Sequence, residues 1–210
     1  DVRSRAANGT TFLGINSTTG PLADERVRQA VWHAIDRDAL VKTVLSGRAV
    51  ANDQIVAANV AGYVADAKGP AYDPAAAKAL LAAAGYNGEE IPLEYATSGR
   101  IPMSAEIAQA IAGYLEAVGI TVTLSGMDQA TLSNRIYSTV DMKGLYLNTW
   151  APSTMDGDMP ATNLFAGGQN DYAKSPETAA LVEKQRAVAG DDRIAVFRDL
   201  AEANFEAAYI

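Results

Sequence analysis

Two short stretches of this chain concentrate the side chains that could do chemistry. The first, Ala96-Thr97-Ser98-Gly99-Arg100, offers two hydroxyls and a guanidinium. The second, Trp150-Ala151-Pro152-Ser153-Thr154-Met155-Asp156-Gly157-Asp158, offers an indole and two carboxylates. A zwitterionic solute such as a peptide needs this set: its ammonium pairs with a carboxylate, and its carboxylate takes a bidentate bond from the planar fork of an arginine. A structural reading stands beside the binding one. Trp150 could simply end a core strand, and Asp156 and Asp158 could be turn carboxylates, since Asp and Gly favour turns.

Other chemistries fit less well. A calcium loop opening at Asp156 would need further oxygen ligands and a Glu at its twelfth position, but Pro160 occupies the fifth and Gly167 the twelfth. A hydrolase built on the Asp156/Asp158 pair would need its carboxyl groups on opposite sides of a bond, about 5–9 Å apart, which residues two apart on one loop rarely achieve. His33 is the only histidine, and between Trp32 and Ala34 it reads as a core or interface residue. The chain contains no cysteine, so disulfides, thiolate catalysis and thiolate metal sites are excluded. None of the motifs G-x-S-x-G, H-E-x-x-H, G-x-x-x-x-G-K-[ST] or G-x-G-x-x-G occurs. The expectation is a binding protein and not an enzyme, with no cofactor and no bound metal.

The elements that must position these loops are legible as an α/β pattern. Strands are expected over 11–16, 91–95, 120–124 and 143–150. Helices are expected from a cap at Asp24 through Ala34, from Asp36 to Leu45, over 74–84, over 104–118, from Asp128 to about Ser138, and over 176–188 and 192–208. The 74–84 helix is fully specified locally: Asp73 is a good N-cap, Pro74 suits N1, and Gly85 suits the left-handed C′ position. The strand–helix–strand order over 91–124 implies two parallel strands with a right-handed crossover. In an open α/β sheet, ligands bind beyond the carboxyl ends of the strands, so the loops after Tyr95 and Trp150 should open on one edge. Segment 47–70 has no sustained period and reads as an irregular excursion. The stretch after Trp150 reads as loop, and Gly167-Gly168 before Tyr172 as a turn, with Tyr172 a minor candidate for ligand contact. Arg26 and Arg28 read as members of a salt-bridged helix face.

The 210 residues carry a net charge of −8, which argues against a nucleic-acid partner, since that needs a basic footprint. It also argues against an anionic membrane surface. No apolar run approaches the ~18 residues of a membrane span. An interaction domain docking a membrane partner through an exposed helix face is a further reading.

Several blocks resemble one family. Tyr72-Asp73-Pro74 with Ala84-Gly85-Tyr86, Pro21-Leu22-Ala23-Asp24-Glu25-Arg26-Val27-Arg28-Gln29-Ala30, Ala34-Ile35-Asp36-Arg37-Asp38-Ala39-Leu40-Val41, and Gly119-Ile120-Thr121-Val122-Thr123-Leu124 occur in an order similar to that of the extracytoplasmic solute-binding proteins of peptide, dipeptide and nickel ABC importers. Trp150, Asp156, Asp158 and Leu164-Phe165 resemble that family's ligand-side loop. The resemblance implies one lobe of a two-lobe periplasmic-binding-protein-like fold, with a mixed, mainly parallel sheet flanked by helices. The 210 residues would form a single ligand-binding lobe, on the C-terminal side of a longer protein whose N-terminal-side lobe is absent from this chain.

Its implied function is to bind a peptide or peptide-like solute between lobes that close by a hinge, and to deliver it to a membrane-embedded ABC permease. Nickel chelates, sugars and opines are alternative cargoes. An exported, monomeric bacterial protein is implied, periplasmic or anchored at the cell surface as a lipoprotein. The implied ligand contacts are Trp150, Asp156, Asp158, Arg100, Ser98 and Thr97. In dipeptide-binding relatives an Asp past the Trp holds the ligand's amino group. Asp156 has the matching distance to Pro160, Ser153 has the matching distance from Trp150, and Asp158 is a rival.

Overall fold

The structure, a computed structural model, describes residues 7–168 and 170–210. It opens with strand β1 (Thr10–Ile15), then a single 3₁₀ turn (Gly20–Ala23), α1 (Glu25–Ala34) and α2 (Arg37–Thr43). After the irregular excursion come α3 (Pro74–Ala84), β2 (Ile91–Ala96), α4 (Ser104–Val118), β3 (Val122–Met127) and α5 (Gln129–Asn134). A π-helical turn (Arg135–Thr139) leads to β4 (Leu145–Trp150), and α6 (Asp158–Phe165), α7 (Pro176–Arg186) and α8 (Gly190–Ala207) complete the chain.

Short acidic side chains start many of the helices. The Asp24 carboxylate accepts from the Arg26 amide, Asp36 from Ala39, Asp128 from Thr131, and Asp73 from both Ala75 and Ala76. Each satisfies donors that the first helical turn leaves without a partner. Gly85 ends α3 with φ 71°, the left-handed conformation that glycine adopts without a Cβ penalty.

The sheet order is β1-β4-β2-β3. β2 runs parallel to both β3 and β4, and β1 runs antiparallel to β4. This is the mixed, mainly parallel sheet expected from the sequence. Its two central strands are buried on both faces, so alternate residues feed two separate cores. Ile91, Leu93, Tyr95, Leu145 and Leu147 pack towards α1, α3 and α4. Ala96 and Tyr146 face the opposite core, built from Trp32, Phe165, Phe197, Leu200 and Phe205. Glu94 also lies on the inner strand β2, and its buried carboxylate is met by Arg135 and by the Lys143 amide at 3.1 Å.

The 47–70 excursion is packed although it lacks regular structure. Val56, Val60, Val64 and Ala67 are buried, and the Gln54 side chain substitutes for a neighbouring strand. Its Nε2 donates to the Val64 carbonyl at 2.7 Å and its Oε1 accepts from the Val64 amide at 3.1 Å.

Four readings of the sequence need correction. Residues 158–165 form α6 and not loop, because Pro160 falls in the first turn, where a missing amide hydrogen costs nothing. β3 begins at Val122, since the Ile120 amide is committed to the Leu115 carbonyl in the cap of α4. Arg28 does not belong to a salt-bridged face. It is buried, donates to the carbonyls of Leu22, Ala23 and Ala207, and lies 5.2 Å from the Tyr209 ring centroid. Arg26 does pair with Asp24, at 2.6 Å. Tyr172 is a core residue, its ring centroid 5.3 Å from that of Tyr146.

Candidate functional site

β2 and β4 are hydrogen-bonded neighbours, with Leu93 opposite Leu145 and Glu94 opposite Tyr146. Because they run in the same direction, the loops that follow them leave from the same edge of the sheet. β3 ends on that edge too, with Ala96 opposite Met127.

The loop after β2 is pinned at its start and free at its tip. Thr97 extends the ladder: its amide donates to the Met127 carbonyl at 2.8 Å and its hydroxyl to the same oxygen at 3.2 Å. Gly99 has φ 133° and passes so close to Gln129 that a Cβ would meet its side chain at 2.8 Å. The Arg100 amide is held by that Gln129 side chain at 3.3 Å. The Ser98 hydroxyl and the Arg100 guanidinium are exposed, and neither has a partner among the described residues. The Ser104 hydroxyl turns back onto the Ala96 carbonyl.

On the other loop Trp150 is half-buried. Its ring meets Tyr137 edge-on at 6.3 Å, and its Nε1 is buried with no acceptor among the described residues. Tyr137, which the sequence did not single out, is fixed by the Asn148 amide at 2.7 Å. Ser153, Thr154 and Met155 then form an exposed turn. Asn8 braces that turn by donating to the Pro152 carbonyl at 3.0 Å.

The two carboxylates point elsewhere. Asp156 takes both terminal nitrogens of Arg193, at 2.6 and 2.9 Å, and accepts from the Asp158 amide at 2.8 Å. The guanidinium holds the Asp156 carboxyl below the usual carboxylate range. Asp158 accepts from Arg186 at 2.9 Å and from Gln185 at 2.5 Å. Burial pushes its carboxyl up, but the bonds from Arg186 and Gln185 outweigh this and leave it lowered. The structure thus places Thr97, Ser98 and Arg100 on the loop after β2 and Trp150 at the end of β4, at one sheet edge, and turns Asp156 and Asp158 onto α7 and α8. Nothing in the local sequence marks Gln185, Arg186 or Arg193 as partners of this loop, because each lies 27 or more positions away.

Among the described residues no group of three or more His, Cys, Asp or Glu is placed to hold a metal ion. His33, half-buried, has its Nδ1 2.9 Å from the Ala71 carbonyl. No helix among the described residues is long and apolar enough to cross a membrane.

Residues 1–172 match the model of the bacterial extracellular solute-binding proteins, family 5 Middle. The chain belongs to this family. A Brucella ovis protein provisionally named an ABC transporter peptide-binding protein is 32% identical over 185 residues, covering 86% of this chain and 32% of its own. The glutathione-binding protein GsiB of Escherichia coli K12 is 29% identical over 159 residues, covering 74% of this chain and 30% of its own. The family 5 chain therefore spans about a third of the length of the curated relatives it matches.

Its fold is also that of solved periplasmic binding proteins. The Helicobacter pylori protein DppA, in complex with the peptide STSA, superposes with a TM-score of 0.86 at 23% identity, over 96% of this chain and 40% of that one. The dipeptide-binding protein of Pseudoalteromonas sp. SM9913, in complex with Met-Leu, gives 0.86 at 23% identity, over 97% and 42%.

Proposed function

We propose that residues 1–210 form one lobe of a longer, two-lobe substrate-binding component of an ABC importer, and that the edge carrying loops 97–100 and 150–156 is one wall of its ligand cleft. The observation that carries this reading is the parallel β2–β4 pairing, which sends both loops out from one edge. The names of the relatives support a peptide or peptide-like cargo. The same names support an extracytoplasmic location, in the periplasm or at the cell surface, and a membrane permease as recipient.

In this wall the free Arg100 guanidinium receives the anionic end of the solute. Ser98 and Thr97 add hydroxyls, and the exposed part of the Trp150 ring supplies a flat apolar contact. Asp156 and Asp158 shape the loop. With both carboxylates committed to arginines, the pair lacks the free acid and base that a hydrolase would use. Binding works by closure: the solute favours the form in which both lobes touch it and shifts the population towards that form.

Calorimetry with a peptide pool, run on the complete protein and on residues 1–210 alone, tests this reading. The complete protein should bind with micromolar affinity and leave the peptides intact. The single lobe should fold but bind far more weakly, since a site between domains needs both walls. Failure of the complete protein to take any peptide, or turnover of the peptides, would overturn the proposal.

A further inference from the structure

We infer that Arg193 is a positioning residue for the cleft wall: it holds Asp156 from behind, so that the loop presents Ser153, Thr154 and Met155 outward and withholds the Asp156 carboxylate from the ligand. The inference rests on the reading of loop 150–156 as part of the wall.

The geometry is that of a staple. Arg193 meets Asp156 with both terminal nitrogens, a fork-to-carboxylate arrangement that fixes direction as well as distance. Arg193 is itself fixed. Its Nε donates to Gln185 Oε1 at 2.9 Å, and its guanidinium carbon lies 5.1 Å from the Phe197 ring centroid. Gln185 is fully buried, and the other end of its amide donates to Asp158. One side chain therefore ties the two loop carboxylates into a single network with α7 and α8.

Packing locks the same turn. The Phe197 ring fills the space where a Cβ of Gly62 or Gly157 would lie, at 2.8 and 2.9 Å. The Ala61 amide donates to the Met155 carbonyl at 3.0 Å, and the Gly157 amide to the Ala61 carbonyl at 2.8 Å. The outward residues 153–155 are exposed while Asp156 is half-buried. A ligand's ammonium would have to share that carboxylate with a bidentate guanidinium and the Asp158 amide, which already take three of its hydrogen-bonding positions. The predicted consequence is a site that grips the anionic end of a peptide and tolerates a blocked amino end on this lobe.

The test uses the complete protein, with Asp156→Asn, Arg193→Gln, Arg193→Lys and the double variant D156N/R193Q. In hydrogen–deuterium exchange without ligand, Arg193→Gln should speed exchange of the 153–158 amides by about tenfold, and Arg193→Lys, which keeps one bond, by less. In calorimetry with trialanine and N-acetyl-trialanine, D156N and R193Q should weaken both peptides by a similar factor, about three- to tenfold. The double variant should be no worse than R193Q, because the two residues act as one unit. The inference is overturned if exchange over 153–158 is unchanged in R193Q. It is equally overturned if D156N alone abolishes a preference for the free amine while R193Q keeps full affinity. If the wild-type protein binds neither peptide, the peptide-receptor reading falls, and faster exchange in R193Q still upholds the positioning role.

Discussion

Gly14 faces Tyr146 across the antiparallel β1–β4 ladder, and the tyrosine ring occupies the space that a side chain at position 14 would need. A Cβ there would lie 2.2 Å from the ring Cζ. Tyr146 is buried and packs on Tyr172, so the ring has nowhere to move. Gly14→Ala should cost about 1–3 kcal/mol by overpacking, read as a lower urea midpoint with an unchanged slope. A midpoint equal to wild type would show that the ring can swing aside.

Glu94 depends on Arg135 in a different way. Its side chain is 3% exposed, and Arg135 is its charged partner. Arg135→Met would leave a buried carboxylate with the Lys143 amide alone, and should destabilise the fold by about 3 kcal/mol or more. Adding Glu94→Leu should recover part of that loss, since an apolar pair carries no desolvation penalty. Chemical denaturation of both variants checks this, and additive losses would refute the coupling.

Tyr172 makes stability depend on alkaline pH. Burial raises its phenol from 10.0 to about 12, so the folded state keeps a proton that the unfolded chain releases. Its contribution is fully present below pH 10 and should be lost as pH rises through about 12. Tyr172→Phe should flatten the stability curve across that window. An identical alkaline limb in the variant would contradict the assignment.

Asp156 does the opposite at the acid end. Arg193 lowers its carboxyl in the folded state, so its contribution is present above the ordinary carboxylate range and is lost as pH falls through the lowered value. Asp156→Asn should lose less stability than wild type on acidification below about pH 4. Thermal unfolding across a pH series measures it.

How far the sequence could be read follows from the range of the interactions. α3 was legible because Asp73, Pro74 and Gly85 do their work within the helix they bound. The edge shared by the loops after β2 and β4 followed from alternating strands and helices and the handedness of crossovers. α6 was hidden because the Asp158, Pro160 and Gly157 that read as turn residues also suit a first helical turn. The commitments of Asp156 and Asp158 could not be seen at all, since Arg193 and Arg186 come from helices far along the chain. Arg28 misled for a related reason. Its acidic neighbours Asp24 and Glu25 suggested a surface pair, while its actual acceptors are backbone oxygens.

Those oxygens cannot take up a proton. The fastening of α1 to the last turn of α8 through Arg28 is therefore indifferent to acid, whereas the turn beside Trp150 hangs on two carboxylates that acid neutralises. Under falling pH the turn over 153–158 should therefore loosen while the Arg28 contacts between α1 and the last turn of α8 persist.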